Sequence, residues 1–357
     1  MTPVFDVPFL PEEEYVEFLV QCADELDSVH FAPAGHGGLD QRVRVGGAAA
    51  DRSLVTLLGR LNGPSRYLLL NSRFCAPEIL VSGDGLQELV RSMRELVERG
   101  LLDGIVYSDH YLLQRLADLA PDLAAVLEAV PSVNCMLDSF ARIQGQLTWI
   151  RATGFRAPGR IVLDRSLNRD LDRLASVARQ CRHRWPQMKI GLLANEGCLY
   201  HCPYKLSHDA YISLANLQGR DRTFTLNQEL GCLRILGERP HRILQSPFIR
   251  PEDLELYLCH VDTIKLCGRT LGASFLVRLL TAYIRRRYDG NLLDLLDAVH
   301  WLADRIHIDN SALSFDFASM LSGCDNRCGR CGFCLELFES ISCLRPVSLD
   351  DRRAAVD

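Results

Sequence analysis

Four cysteines stand close together near the end of this 357-residue sequence, at Cys324, Cys328, Cys331 and Cys334. They fall within eleven residues, and the glycines between them let the backbone wrap closely around an inorganic core. Iron–sulfur clusters are held by thiolates spaced in this way, often with a further cysteine from elsewhere in the chain. The run therefore predicts an iron–sulfur site, most simply a 4Fe-4S cluster.

Two other metal chemistries use similar spacings. Four-cysteine zinc sites usually pair two separated Cys-x2-Cys knuckles rather than one continuous run, which favours iron–sulfur here. The spacing Cys324-x3-Cys328-x2-Cys331 also occurs in radical S-adenosylmethionine enzymes, but Arg330 stands where those enzymes have an aromatic residue, and only 23 residues follow Cys334. A radical S-adenosylmethionine-like enzyme remains an alternative.

A second group of candidate ligands begins with Cys198 and Cys202 in the segment Asn-Glu-Gly-Cys-Leu-Tyr-His-Cys. Two thiols cannot complete a cluster, so further ligands must come from elsewhere. The candidates are Cys232, Cys267, Cys181 and the C-terminal run itself, and spacing does not choose among them. We therefore expect one or two clusters.

Composition sets limits on the class of protein. A hydrophobic fraction of 48%, a charged fraction of 24% and a formal net charge of -5 are those of an ordinary globular chain rather than of a protein covered with nucleic acid. No run of about 18 apolar residues and no signal peptide is seen, so we expect a cytoplasmic protein without a membrane segment. In that reducing compartment, fourteen cysteines indicate metal ligands or buried thiols rather than disulfides.

The elements that must position these residues alternate between short apolar strands and amphipathic helices, which predicts a (β/α)8 TIM-like barrel. The predicted strands are Ser28–Pro33, Arg66–Asn71, Gly104–Tyr107, Ser132–Met136, Arg160–Leu163, Lys189–Ala194, Arg242–Gln245 and Thr263–Leu266. We assign residues 1–290 to the barrel domain and residues 291–357 to a C-terminal helical, cysteine-rich extension that begins with a predicted helix over Leu292–Ile306.

Reactive groups in such barrels collect where strands end. The polar residues expected there include His201, Asn195, Glu196 and Asp138, which we take as candidates for proton transfer or orientation. Lys265 and Arg269 are predicted to bind an anionic substrate through charge-assisted contacts.

The middle of the chain, over residues 100 to 290, resembles the collagenase-like "peptidase" family. The segments that carry the resemblance are Arg160-Ile-Val-Leu-Asp-Arg-Ser-Leu167, Lys189–Cys202, Leu244-Gln-Ser-Pro-Phe248 and Val261-Asp-Thr-Ile-Lys-Leu-Cys-Gly-Arg269, with Tyr283 and Arg285 further on. That family includes the anaerobic ubiquinone hydroxylases UbiU and UbiV and related RNA hydroxylation factors. The sequence departs from it where Cys267 replaces a glutamate, where Asn195-Glu196 replaces His-Gly, and in the Cys324–Cys334 tail.

The resemblance implies a barrel that holds a 4Fe-4S cluster and hydroxylates a small-molecule biosynthetic intermediate without molecular oxygen, with prephenate as a proposed oxygen donor. One alternative is a noncatalytic iron–sulfur subunit that carries electrons or acts as a scaffold in a hetero-complex. Another is an RNA-modifying hydroxylase, in which the basic run Arg285-Arg286-Arg287 contacts RNA. Peptidase chemistry has little support, because no Ser/His/Asp or Cys/His arrangement stands out and His-Glu-x-x-His is absent from the sequence.

Overall fold

The structure is a computed structural model that describes residues 4–33, 37–41, 51–220, 222–328 and 330–344. Within these ranges, parallel strands alternate with helices around a central sheet. The strands of this sheet are β1 Val4–Pro8, β2 Leu26–Phe31, β3 Ser65–Leu70, β4 Gly104–Tyr107, β5 Glu128–Pro131, β6 Arg160–Leu163, β7 Lys189–Leu193 and β8 Thr263–Lys265. A separate antiparallel pair near the C-terminus is formed by β9 Ile306–Ile308 and β10 Ser342–Leu344.

The helices lie between and after the strands. The α-helices are α1 Glu13–Gln21, α2 Asp51–Leu58, α3 Pro77–Ser82, α4 Gln87–Glu98, α5 His110–Leu119, α6 Pro121–Val126, α7 Phe140–Thr153, α8 Leu171–Arg184, α9 Lys205–Gln218, α10 Thr223–Leu230, α11 Cys232–Glu238, α12 Leu254–Leu258, α13 Gly272–Arg285, α14 Phe317–Ser322 and α15 Phe333–Ile341. Short 3₁₀ helices cover Ala23–Glu25, Gly37–Leu39, Asp84–Leu86, Val133–Cys135, Arg165–Arg169, Pro240–Gln245, Pro251–Asp253, Arg269–Leu271, Leu292–Leu295, His300–Leu302 and Asn310–Ala312.

The central sheet is a nearly closed barrel, which confirms the predicted TIM-like fold. Its strand order is β5-β4-β3-β2-β1-β8-β7-β6, so β1 pairs with both β2 and β8. Between β5 and β6 the described residues form no ladder, and a lone parallel bridge joins Glu128 to Arg156. We refer to this gap as the β5–β6 seam.

The two faces of the barrel strands differ in chemistry. Outward-facing residues such as Phe5, Val29, Ile105 and Ile264 are fully buried against the helices. The alternate, inward-facing positions carry polar and charged residues as well as apolar ones, because successive side chains of a strand point to opposite faces. The barrel interior is therefore where buried charges meet.

A second hydrophobic core lies beside the barrel. It combines Leu236, Ile243, Leu244 and Phe248 with buried residues of the segment from Leu292 to Phe338. The division into a barrel over 1–290 and an extension over 291–357 stays a prediction, and this core draws on residues from both sides of that boundary.

Three predicted elements are wrong in the structure. Arg242–Gln245 lies in a 3₁₀ helix that begins at Pro240, and the eighth strand is instead β1 at the start of the chain. The strand predicted over Ser132–Met136 lies four residues earlier, because Val133–Cys135 turns as a 3₁₀ helix. The helix predicted over Leu292–Ile306 is two short 3₁₀ turns that lead into β9.

Candidate functional site

A cavity of about 130 Å³ opens at the barrel mouth, where the carboxyl ends of the strands meet. This is the face at which barrel enzymes carry their active sites. Its lining combines charged groups inside the barrel with residues of the β7–α9 loop and of α9. The charged groups come from strands that are far apart in sequence, so the barrel itself assembles the site.

The deepest group consists of Asp6 on β1, His30 on β2 and Lys265 on β8. The Asp6 carboxylate accepts a hydrogen bond from the Lys265 Nζ at 2.7 Å and lies 2.9 Å from the His30 Nδ1. The hydroxyl of Ser28 donates to the same carboxylate at 2.9 Å. One anion therefore holds a cation and an imidazole in fixed positions.

Burial and charge set the protonation of this trio. Burial favours a neutral Asp6, but Lys265, Arg160 and His30 outweigh it and hold the pKa of Asp6 well below its usual range. Burial, followed by the charge of Lys265, lowers the pKa of His30 to about 4, although Asp6 opposes the shift. Burial also lowers the pKa of Lys265, again opposed by Asp6. At neutral pH, His30 is therefore an uncharged imidazole.

Arg160, at the start of β6, is the second buried cation of the barrel interior. Its Nη1 lies 2.9 Å from Asp27, its Nη2 lies 3.7 Å from Asp6, and its guanidinium sits 5.3 Å from the centre of the Tyr67 ring. The Nη2 is buried and makes no hydrogen bond to any described residue. A ligand in the cavity therefore meets a donor whose hydrogen-bonding capacity is not used.

Further charged side chains at the rim of the cavity are held in ion pairs. Lys205 pairs with Asp209 one turn along α9, and its Nζ also donates to the Asn134 Oδ1 at 2.9 Å. Arg269 pairs with Asp40. Lys265 and Arg269, predicted to bind an anionic substrate, both line the cavity, and each already contacts a carboxylate.

Glu196 lines the cavity and pairs with the buried Arg165. Asn195, its neighbour, is fully buried: its Nδ2 donates to the backbone oxygens of Cys267 at 2.8 Å and Leu295 at 3.1 Å. Its Oδ1 accepts from the Cys267 backbone N–H at 2.8 Å. Asn195 thus fastens the end of β7 to the end of β8 and to the C-terminal segment, which is a positioning role.

Cys198, Cys202 and Cys232 form what we name the mouth cysteine group. Burial raises the pKa of Cys198, Arg165 and Lys205 lower it, and the thiols of Cys202 and Cys232 raise it again. Burial, with the thiol of Cys202, raises the pKa of Cys232 to about 11. Thiols from two chain segments therefore affect one another's protonation, and Arg165 and Lys205 oppose that effect at Cys198.

The loop that carries Cys198 needs a glycine directly before it. Gly197 has a φ of +75°, and a Cβ at this position would lie 2.9 Å from Val299. The loop is therefore pressed against the C-terminal segment, which fixes where Cys198 points. Cys267 also lines the cavity, whereas Cys181 lies on the buried face of α8, in the hydrophobic core.

Cys324, Cys328, Cys331 and Cys334 form the tail cysteine group. They line a second concavity of about 700 Å³, together with His241. Burial raises the pKa of Cys334, as do the three other thiols, while Arg169 lowers it. The N–H of Asn326 lies 3.4 Å from the Cys324 sulfur, as expected of a loop that wraps around a metal centre.

The donor chemistry of both groups fits an iron–sulfur cluster, since thiolates are its usual ligands. Within the described ranges, however, no three His, Cys, Asp or Glu side chains stand in a ready metal-binding arrangement. The ligand set Cys198, Cys202, Cys232, Cys267, Cys324, Cys328, Cys331 and Cys334 therefore stays a prediction.

Two predicted catalytic residues lie outside the cavity lining. His201 is exposed, with a left-handed φ of 48° and its ring against Tyr200. Asp138 contacts Arg173 at 3.2 Å and Arg142 at 3.5 Å near the surface. Conversely, sequence reasoning missed Asp6, His30 and Arg160, which lie inside strands rather than after them.

The part of the chain that the structure describes contains no helix with both the length and the apolar character needed to cross a membrane.

Known proteins resemble this chain in sequence and in structure. No family model matches the chain. It is 33% identical over 240 residues to an uncharacterized protease of Methanocaldococcus jannaschii; the match covers 67% of this chain and 66% of that protein, slightly less than two thirds. A solved U32 peptidase aligns with a TM-score of 0.48 and 14% identity, over 74% of this chain and 92% of the other. The sequence similarity is therefore to a protein named as a protease, and it does not single out UbiU or UbiV.

Proposed function

We propose that this chain, as a collagenase-like U32 protein, is an iron–sulfur enzyme that hydroxylates a small anionic intermediate without molecular oxygen. The observation that carries the proposal is the position of the mouth cysteine group. Cys198 of this group, together with Cys267, lines the same cavity as Arg160, His30 and Lys265, so a thiolate-bound centre would face a charged pocket.

The cluster, held by Cys198, Cys202 and Cys232 with a further ligand, would supply redox or Lewis-acid chemistry. The chain's own residues bind and orient the substrate. The unused Nη2 of Arg160 offers a donor to a carboxylate, and Lys265 adds positive charge beside it. His30, neutral at pH 7 and oriented by Asp6, is suited to accept or donate a proton.

The resemblance supports prephenate as the oxygen donor and 4Fe-4S as the cluster type. The spacing of the tail cysteine group, which the family lacks, supports a second cluster there. Prephenate is accordingly the first anion to test by calorimetry. Wild-type binding that is lost in Arg160→Met would support the assignment of the cavity as an anion site.

The central experiment is anaerobic purification with iron and sulfide counts and electron paramagnetic resonance. We expect Cys198→Ala and Cys232→Ala to lose one signal and Cys331→Ala to lose another, each with about half of the iron. The matched control is Cys259→Ala, an exposed cysteine outside both groups, which should keep all of it.

Other outcomes separate the alternatives. Zinc without sulfide would contradict the proposal. Full iron with no turnover on any small anion would favour an electron-transfer or scaffold subunit of a hetero-complex. Casein hydrolysis that survives Cys198→Ala would favour the activity in the name of the Methanocaldococcus relative.

A further inference from the structure

Four arginines in the described part of the chain have buried side chains: Arg160, Arg165, Arg169 and Arg250. Three of them contact carboxylates, since Arg250 forms a two-pronged pair with Asp253, Arg160 contacts Asp27, and Arg165 contacts Glu196. Arg169 is the exception. It takes part in no ion pair with any described residue.

Arg169 instead donates only to neutral groups. Its Nε and Nη2 donate to the Leu321 carbonyl at 3.3 and 3.2 Å, and its Nη1 donates to the Gln245 carbonyl. The neighbouring Asp170 carboxylate accepts from the Arg173 N–H, where it caps α8. A buried charge without an opposite charge is costly, and hydrogen bonds to carbonyls offset only part of that cost. Among the described residues, Arg169 therefore has no carboxylate at ion-pair distance to balance its charge.

The position of Arg169 indicates which group supplies that charge. Its guanidinium lies 4.9 Å from the centre of the Tyr200 ring. Tyr200 stands between Cys198 and Cys202 in the β7–α9 loop, which we name the mouth loop. Leu321, which it binds, lies three residues before Cys324. Arg169 therefore sits between the two cysteine groups.

We propose that Arg169 is the counter-charge of an anionic, thiolate-bound centre held by Cys324, Cys328, Cys331 and Cys334. This inference rests on the tail cluster of the proposed function. A cation fixed beside such a centre stabilises its reduced, more negative state and so raises its reduction potential. By binding the Leu321 carbonyl and stacking on Tyr200, the same side chain also holds the tail against the mouth loop.

The test is a redox titration of the anaerobic, cluster-containing chain, followed by electron paramagnetic resonance. Arg169→Met removes the charge and keeps most of the side-chain length. We expect it to lower the midpoint potential of the tail centre by a tenfold change in the one-electron equilibrium, about 59 mV. Arg169→Lys should restore most of the potential. The matched control is Arg173→Met, a half-exposed arginine on α8, which should leave the potential unchanged.

A second measurement distinguishes an effect of the Arg169 charge on the potential from a general loss of folding stability. In the metal-free chain, Arg169→Met should unfold at a temperature close to that of the wild type, because the removal of an unpaired buried charge offsets the loss of its hydrogen bonds to the Leu321 and Gln245 carbonyls. A variant that is destabilised with and without iron, but whose midpoint potential equals that of the wild type, would overturn the inference.

The two proposals fail in different ways. If Cys198→Ala keeps all of its iron while the tail potential still depends on Arg169, the mouth cluster is wrong and the inference stands. If both signals are present and Arg169→Met changes neither, the inference alone is wrong. A wild-type chain without iron and sulfide contradicts both.

Discussion

The mouth and tail cysteine groups use the same ligand in opposite surroundings. The mouth thiols are half-buried beside a cavity whose charges are arranged in pairs around Asp6, Glu196 and Asp209. In the tail group, Cys328 and Cys331 are exposed, and the nearby buried cation Arg169 has no carboxylate partner among the described residues. The mouth is thus organised before any ligand arrives, whereas the tail depends on one for its charge balance.

This difference suggests that the two cysteine groups have different functions. A centre enclosed beside a polar cavity is suited to act on a substrate, because low-dielectric surroundings strengthen each electrostatic contact. A centre with two exposed ligands is suited to exchange electrons with a partner at the surface. Four substitutions test how far this contrast holds, from the largest expected effect to the smallest.

Asp6→Asn removes the anion shared by Lys265, Arg160 and His30. Because it leaves buried cations uncompensated, we expect the free energy of unfolding to fall by about 3–5 kcal/mol. Urea unfolding at pH 7 measures this loss. Asp122→Asn, which breaks an exposed pair with Arg94, is the control and should cause no measurable change. A small loss for Asp6→Asn would mean that the mouth is not organised by paired charge.

His30→Gln should alter how stability depends on pH. Since the folded-state pKa of His30 is lowered to about 4, unfolded chains bind the proton first, and stability falls as the pH drops from about 6.5 towards 4. Between pH 7 and pH 4 the wild type should lose about 3 kcal/mol more than the variant. Urea unfolding at several pH values measures the slope. The exposed His201→Gln is the control, and equal slopes for all three proteins would refute the expected burial effect.

Asn195→Ala should loosen the connection between the mouth and the C-terminal segment. It leaves the Cys267 and Leu295 carbonyls and the Cys267 N–H without their side-chain partner, at a cost of about 1–3 kcal/mol. Hydrogen exchange of the Cys267 amide should accelerate in parallel. Unchanged exchange would show that the two regions hold together without this residue. Asn326→Ala, on the exposed tail loop, supplies the comparison.

Cys331→Ser should change the stability of the metal-free chain by less than about 0.5 kcal/mol, because the side chain is exposed. The fully buried Cys181→Ser should cost more, since it places a hydroxyl in an apolar core. Thermal unfolding of both variants measures the contrast. An equal loss in both would mean that the tail thiols already pack as a core without metal.

The strands and their helices follow from hydrophobic pattern, and for this reason most of the barrel could be predicted. The failures have a common cause, which is that short apolar runs look alike whatever structure they adopt. Ile243 and Leu244 suit a strand but lie in a 3₁₀ helix of the second core. The run from Leu292 to Ile306 is apolar at helical spacing because it is buried from several sides.

Only part of the candidate site could be predicted, because polar residues were expected after the strands and not within them. Lys265 is found through the family-like segment around it. Asp6 and His30 are missed because they lie within β1 and β2, flanked by apolar residues. A usable signal exists: a charged residue at alternate positions of an apolar strand points into the barrel. That Arg169 has no carboxylate partner among the described residues cannot be predicted from the sequence. Its contacts are with residues about 150 positions away in the chain.

The β5–β6 seam has a consequence for how the barrel responds to strain. A fully closed barrel has no strand edges, so its circumference cannot change without breaking hydrogen bonds. Here the edges of β5 and β6 face each other across a gap held by the bridge from Glu128 to Arg156. An increase in the circumference of the barrel can therefore be confined to the β5–β6 seam. Val130 and Val162, which flank that line from the inside, also line the cavity, so a change in circumference alters the space available to a bound ligand.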